Sequence, residues 1–102
     1  MIFMTVPDTE TGAKIGKSAV EAGLAACANI IPGLRSIYKW KGKVCDDPEA
    51  LVIFKTRKSL VKKLEKFCKK LHPYEVPEFI SIKIESGSED YLKWITESTK
   101  KN

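Results

Sequence analysis

The sequence lacks the cysteine pattern of a disulfide scaffold or of a thiolate metal site. Its three cysteines, Cys27, Cys45 and Cys68, are odd in number and far apart, and no Cys-x-x-Cys pair occurs. Exported domains of this size that depend on disulfides usually carry an even, patterned set, and structural zinc sites use closely spaced thiolates. We therefore expect free thiols and a reducing, cytoplasmic environment.

Long hydrophobic runs are missing as well. The first apolar stretch, residues 2–6, ends at Pro7, which makes it too short for a signal peptide or a membrane span. We therefore expect no membrane partner. With 102 residues, 43% of them hydrophobic, the chain suits a single domain, residues 1–102, that can form a core without disulfides or a structural metal.

Histidine is scarce, since His72 is the only one in the chain. No histidine pair and no multi-histidine metal site can therefore form within one chain. Ser59, Ser81 and Cys45 have no evident base partner other than His72, so the sequence does not support a nucleophilic triad. A glycine-rich phosphate loop is also absent. These absences predict that the protein is not an enzyme.

Positive charge is concentrated in one segment. The chain carries a net charge of +5, but residues 55–70 hold eight lysines and arginines against Glu65 alone, a net charge of +7. The remainder of the chain is therefore slightly acidic, at −2. The basic character belongs to one predicted helix and not to the whole surface.

Strands are predicted from short apolar or alternating runs, which cover residues 2–6, 24–31, 34–41, 50–54 and 80–84. The Pro-Gly pair at 32–33 interrupts the second run, and the third run continues it in extended form. A chain reversal is predicted at 41–43, and the Asp-Asp-Pro sequence at 46–48 is predicted to be a break.

The first predicted helix begins at Asp8 or Thr9, both candidate caps. It ends at Gly23, a candidate C-terminal cap. Small residues at helical spacing give it a smooth face that can lie close to a sheet: Gly12, Ile15, Gly16, Ala19 and Gly23.

The second helix is predicted from an apolar stripe opposite a lysine-rich face, with Thr56 as its candidate cap and His72-Pro73 at its end. The stripe consists of Leu60, Leu64, Phe67, Cys68 and Leu71. A last helix begins near Ser88, and we expect the tail at 100–102 to fray. The order βαββαβ plus a terminal helix predicts an α+β fold of the ferredoxin-like split βαβ type.

RNA-binding modules share this order of elements, and we keep that function as an alternative. Those modules read RNA with aromatic side chains on sheet strands in an RNP1-type pattern, which is absent here. Because lysines on one helix are not enough, we predict no nucleic-acid partner.

The segment of residues 24–41, if fully extended, would be longer than a domain of this size is wide. At ~3.3 Å per residue they would span about 59 Å, whereas a 100-residue globule is roughly 35 Å across. The hairpin around Gly42 is therefore expected to project, with Tyr38 and Trp40 on one face and Val44 just beyond the turn. In a monomer it would leave an apolar patch and an open sheet edge. We predict that these three residues bury against another copy, with folding back onto the same domain as the alternative.

Five runs, in order along the whole chain, resemble the divalent-cation tolerance (CutA) family: residues 24–30 (LAACANI), 38–43 (YKWKGK), 55–57 (KTR), 72–78 (HPYEVPE) and 91–94 (YLKW). The resemblance implies a ferredoxin-like fold with an extended hairpin, a tight homotrimer and no established enzymatic activity. It also implies a role in tolerance of copper and other divalent metals. The likeness of the family's trimer to the nitrogen-regulatory PII proteins suggests signalling, and animal members suggest a protein-anchoring adaptor.

The resemblance also implies a copper site. The family's ligand positions, a cysteine on the first strand and two adjacent histidines before Pro-Tyr, are Met4, Leu71 and His72 in this chain. Only His72 is a strong ligand, because a thioether can hold Cu(I) but suits Cu(II) poorly. We therefore expect copper or another divalent cation to bind weakly, with no cofactor obligatory.

The single candidate residues each have a structural and a functional interpretation. His72 either ends a helix or acts as a metal ligand shared between subunits, and we favour the first. Cys27 either packs in the core, which we favour, or serves as a weak, soft metal ligand. Cys68 is predicted to be core, and Cys45 to be an exposed thiol.

Two groups of polar residues are also candidates. Asp46, Asp47 and Glu49 either attract a hard divalent ion or form a solvated turn, and we favour the turn. The residues of the second group either line a cleft between subunits or cap strand ends and hydrogen-bond there. They are Lys55, Thr56, Tyr74, Glu75 and Glu78.

Overall fold

A computed structural model describes residues 1–100, which form an antiparallel sheet with the first two helices packed on one face. In chain order the elements are β1 (Ile2–Val6), α1 (Thr9–Glu21), β2 (Cys27–Trp40), β3 (Lys43–Lys55), α2 (Val61–Leu71, preceded by a 3-10 turn at Lys58–Leu60), β4 (Ile80–Ser81) and α3 (Glu89–Glu97). The predicted fraying at 101–102 lies outside the described residues. No helix in the described part of the chain is both long and apolar enough to cross a membrane.

The core forms on one face of the two central strands. Ile2, Met4 and Val6 of β1 are fully buried, whereas residues 3 and 5 between them are only half-buried. The buried side chains pack with those of β3, α1 and α2. The strand order is β2-β3-β1-β4 with every pairing antiparallel, which confirms the predicted ferredoxin-like α+β fold.

The ends of α1 are formed as predicted. At its start, the Thr11 backbone N–H donates to the Asp8 carboxylate at 2.7 Å. At its end, Gly23 has a φ of 73°, and the backbone N–H groups of Gly23 and Leu24 donate to the carbonyls of Val20 and Ala19. This is a Schellman cap, which needs a left-handed residue and therefore favours glycine.

The smooth face of α1 lies directly against the sheet. A Cβ atom at Gly16 would be 2.9 Å from the Cβ of Ala28, and one at Gly12 would be 3.1 Å from methyl groups of Val6 and Val52. The Ala28 methyl is fixed to the backbone of β2 and cannot rotate away. The two glycines therefore set the distance between helix and sheet.

We expect Gly16→Ala to destabilise the protein although alanine is the better helix former. Overpacking costs about 1–3 kcal/mol, which exceeds the helix-propensity gain of about 1 kcal/mol. Adding Ala28→Gly removes the clashing methyl and is expected to recover part of the loss. Urea unfolding at one fixed protein concentration checks both variants. An unchanged midpoint for Gly16→Ala would show that the helix is free to shift.

The hairpin of β2 and β3 projects as predicted, and the molecule extends 44 Å along its long axis against 26 and 22 Å along the others. Its two-residue turn, Lys41-Gly42, has positive φ at both residues, as a type I′ hairpin turn requires. The interruption at Pro32-Gly33 is a bulge within one continuous strand, since Ile31 pairs with Leu51 and Leu34 with Glu49.

Three sequence predictions are corrected by the structure. Residues 46–48 form no break but pair with β2 inside β3, and Pro48 is tolerated because β1 covers only residues 50–54 of that strand. Thr56 does not cap α2, because its hydroxyl donates to the Leu24 carbonyl at 2.7 Å. The strand predicted at 80–84 pairs with β1 only over Ile80–Ser81.

Candidate functional site

A groove of about 600 Å³ lies between the hairpin and the connector that follows α2. We define the groove by the six residues that carry its chemistry: Tyr38, Trp40, Glu49, Tyr74, Glu75 and Glu78. The alternation of β2 places Ser36, Tyr38 and Trp40 on one face, and the proline-bounded connector at 73–78 forms the opposite wall. Aromatic rings and carboxylates therefore converge on one concave surface.

Tyrosine hydroxyls of the groove hold Glu49, which lines it, and the nearby Asp47 in place. The Tyr74 hydroxyl donates to Glu49 at 2.7 Å, and the Tyr38 hydroxyl donates to Asp47 at 2.6 Å. The hydrogen bond to Asp47, with some burial, raises the pKa of Tyr38 to about 12. Burial and the bond to Glu49 raise the pKa of Tyr74. Both phenols therefore stay protonated at neutral pH and act as donors.

The charged residues that line the groove are all negative. Its described lining contains Glu49, Glu75 and Glu78 but no lysine or arginine. Burial, and after it the charge of Glu49, raise the pKa of Glu78, because both disfavour its ionised form. Electrostatics therefore favour a cation in this groove.

His72 lies behind the connector and is buried, with 8% of its surface exposed. The Tyr74 backbone N–H donates to Nδ1 at 3.1 Å, so Nδ1 carries no proton and Nε2 donates to the Thr5 carbonyl at 2.7 Å. The His72 backbone N–H also caps α2 by donating to the Cys68 carbonyl. The ring thus joins the end of α2, β1 and the connector.

The residues at the family's copper positions do not form a ready copper site within one protomer. Met4 and His72 line the same cavity of about 230 Å³, but Leu71 offers no ligand atom and its side chain is exposed. A metal at Nδ1 of His72 would displace the Tyr74 N–H. Within residues 1–100, no group of three or more His, Cys, Asp or Glu side chains is arranged to hold a metal ion.

The three cysteines lie apart from one another, and only Cys68 is close to His72, since both line the cavity of about 230 Å³. Cys27 is half-buried, and its Sγ is 3.9 Å from both Asn29 Oδ1 and the Tyr91 hydroxyl. Lys55 donates to the same Asn29 oxygen at 2.5 Å. Cys68 is buried in the core, where burial raises its pKa to about 12, and Cys45 is half-buried on the hairpin. A buried thiol with a raised pKa is unreactive.

The predicted cleft residues divide into two places in the protomer. Tyr74, Glu75 and Glu78 line the groove, whereas Lys55 and Thr56 lie at and just beyond the far end of β3. Val44 is opposite Lys39 and therefore projects from the hairpin face that Tyr38 and Trp40 do not use.

The carboxylates at 46–49 are strand residues and not a turn, each with its own donor. Arg35 binds Asp46 through two nitrogens at 2.7 and 2.9 Å, Tyr38 binds Asp47, and Tyr74 binds Glu49. Sequence reasoning missed the pairing of Glu49 with Tyr74. A signal for it was present, because each of the two residues directly follows a proline, but their 25-residue separation hid the contact.

Comparisons with known proteins agree over almost the whole chain. The family described as CutA1 divalent ion tolerance protein matches residues 1–98. A solved divalent cation tolerance protein (Cut A1) from Thermus thermophilus is 45% identical with a TM-score of 0.94, covering 97% of this chain and 96% of its own. CutA1 from Oryza sativa is 44% identical with a TM-score of 0.96, covering 99% and 93%.

Relatives in other lineages are longer than this chain. Chloroplastic CutA from Arabidopsis thaliana is 46% identical over 98% of this chain, which spans 55% of the plant protein. Protein CutA from Homo sapiens is 44% identical over 95% of this chain, which spans 54% of the human protein. The extent and identity of these matches show that the chain belongs to the CutA1 divalent ion tolerance protein family.

Proposed function

We propose that this protein works as a homotrimer in divalent-cation tolerance and binds cations without catalysing a reaction. The observation that carries the proposal is an apolar sheet face that the protomer leaves uncovered. Family membership supports the metal-related role, and the acidic groove supports attraction of cations to the assembled protein.

The uncovered face is the side of the sheet opposite α1 and α2. One row across it pairs Ile53 of β3 with Phe3 of β1 and Phe3 with Ile80 of β4, and a neighbouring row pairs Ile31 with Leu51. Phe3, Leu51 and Ile53 are half-buried, and Ile31 and Ile80 are exposed. Continuous apolar strands are typical of sheets covered on both faces. A second copy would supply the missing cover.

The hairpin also leaves apolar residues exposed. On the hairpin face opposite Tyr38 and Trp40, Ile37 and Val44 are 64% and 72% exposed, and β2 is an edge strand of the described sheet. Long edge strands with exposed apolar residues are an aggregation hazard in a monomer. Burial of Tyr38, Trp40 and Val44 between copies removes the hazard.

We propose that copper or another divalent cation binds weakly to the protein. Signalling of the PII type is one use of such binding. Glu49 and Glu78 alone are expected to bind divalent ions weakly, because even complete oxygen-ligand sites in extracellular calcium-binding modules reach a Kd of only about 10⁻⁴–10⁻³ M. Tighter binding would need ligands from two copies, because within one protomer both ring nitrogens of His72 are hydrogen-bonded and Met4 is fully buried.

Calorimetric titration of the assembled protein with Cu(II), Cu(I) and Zn(II) tests the metal part. We expect weak binding that Glu49→Gln combined with Glu78→Gln reduces several-fold, with Glu97→Gln as the matched exposed control. Loss of binding in His72→Ala, with the two glutamate variants unchanged, would instead assign the site to His72. No binding of any of the three ions would contradict a direct metal role.

The RNA-binding and adaptor alternatives rest on single features. The lysines of α2 are exposed, as an RNA-binding surface requires, and the apolar hairpin faces are a surface for another protein. We propose the cytoplasm as the compartment, because three free cysteines suit a reducing environment.

A further inference from the structure

The groove has the size of an organic-ligand site and not of an ion site. Its volume of about 600 Å³ lies within the range of about 300–1,000 Å³ that small-molecule sites occupy. Three aromatic residues, Tyr38, Trp40 and Tyr74, are part of its lining. Both tyrosine hydroxyls already donate to Asp47 and Glu49, so these residues present ring surface to a ligand.

The charge of the groove favours a cation, but its carboxylates are not arranged to coordinate a metal ion. Glu49, Glu75 and Glu78 meet no lysine or arginine in the described lining. The described residues nevertheless bring no three carboxylates together as metal ligands. A positive group that needs one or two carboxylates and no coordination shell fits this arrangement better than a bare metal ion.

The indole of Trp40 already accepts a positive group in this structure. The ammonium of Lys41 lies 5.7 Å from the centroid of the Trp40 ring, within the range of a cation–π interaction. Aromatic rings attract ammonium groups through their negatively charged faces, and tryptophan does so most strongly. This observation is independent of the carboxylates and indicates the same class of ligand.

We propose that the groove binds a small organic molecule carrying a protonated amine on an apolar body. The ammonium group lies between Glu49 and Glu78, and the apolar body packs on Tyr38, Trp40 and Tyr74. In the assembled protein Tyr38 and Trp40 also face the neighbouring copy, so the ligand binds at the boundary between copies. This ligand class goes beyond the proposed divalent-cation role, because the ligand is not a metal ion.

Benzylamine is a suitable probe, with benzyl alcohol as its neutral counterpart of nearly the same shape. Titration of the assembled wild-type protein near pH 7, read by calorimetry and by the fluorescence of Trp40 and Trp94, is expected to show benzylamine binding at least tenfold tighter. Mg²⁺ provides the charge without the ring and is expected not to displace benzylamine at equal concentration. Tight Mg²⁺ competition would overturn the proposal in favour of an ion site.

Single substitutions distinguish the contribution of the carboxylates to benzylamine binding from that of the aromatic rings. Glu49→Gln and Glu78→Gln are each expected to weaken benzylamine binding about tenfold, and Trp40→Leu about three- to tenfold, whereas Trp40→Phe retains most of it. Glu97→Gln, on α3, is the control and is expected to change nothing. Light scattering of each variant establishes that the assembly is intact.

Two further results would overturn the proposal. The first is equal affinity for benzylamine and benzyl alcohol, because the carboxylates would then play no part. The second is an absence of benzylamine binding to the wild-type protein, and a changed assembly mass in Glu49→Gln would then indicate that a second copy fills the groove. Neither result bears on the metal titration, which is measured with other ligands.

Discussion

Replacing Leu51 by aspartate is expected to convert the assembled protein into a folded single chain. Leu51 lies at the centre of the uncovered sheet face, between Thr5 of β1 and Ile31 of β2. In a single chain it is only half-buried, so an aspartate there can remain hydrated. In the assembly it would be an unpaired carboxylate in an apolar interface.

The expected loss of association free energy is large, because two unfavourable contributions add in every copy. Removing the leucine side chain from the interface costs about 1.5–3 kcal/mol, and burying an unpaired charge costs several kcal/mol more. Closed assemblies repeat the change at each copy, so the association constant falls by many orders of magnitude. Light scattering at micromolar concentration measures the mass, and circular dichroism measures whether the fold is retained.

Val20→Asp is the matched control for this experiment. Val20 is an exposed apolar residue on α1, away from the uncovered face, so the same substitution there is expected to leave the mass unchanged. A Leu51→Asp protein that keeps the mass of the wild type would contradict the proposed interface. A wild-type protein that is itself a well-folded single chain would end the proposal of assembly.

Replacing His72 by alanine is expected to destabilise the fold by about 2–4 kcal/mol, because it leaves two backbone groups without partners. The ring binds the Thr5 carbonyl and the Tyr74 N–H, and it is almost fully buried. His72→Gln keeps a donor for Thr5 and is expected to lose less. The expected order of stability is therefore wild type, then glutamine, then alanine.

Urea unfolding at one fixed protein concentration measures this series, since the stability of an assembled protein depends on concentration. Lys69→Ala, an exposed change on the same helix, is the control and is expected to lie within about 0.5 kcal/mol of wild type. His72→Ala with wild-type stability but no copper binding would show that the ring is a metal ligand and not a structural link.

Local patterns were sufficient for most of the fold. The glycines of α1, the buried part of the α2 stripe (Leu60, Leu64 and Cys68) and the cap at Asp8 depend on residues within a few positions of one another, and each was predicted correctly. Leu71, the last residue of the predicted stripe, is instead exposed. The errors concern segments with long-range partners. The Asp-Asp-Pro sequence of β3 suggested a break, but pairing with β2 along the hairpin supplies enough hydrogen bonds to keep it extended.

The candidate site was only partly predictable, for the same reason. The proline-bounded connector and the aromatic hairpin face were identified from the sequence, but their meeting across a groove depends on the sheet order. Lys55 and Thr56 were grouped with Tyr74, Glu75 and Glu78, yet the first two lie at the far end of β3 and the other three line the groove. The number of residues between two side chains does not determine their distance once strands pair.

The sequence alone therefore determined the order of the helices and strands, the projection of the hairpin, and the family. These follow from periodicity, turn residues and motifs that are read within short windows of the chain. The tertiary structure alone decided that both nitrogens of His72 are used by the backbone, that Glu49 belongs with Tyr74, and that residues 1–100 of a single chain leave one apolar sheet face uncovered. Each of these depends on contacts between residues far apart in sequence, which only packing in three dimensions brings together.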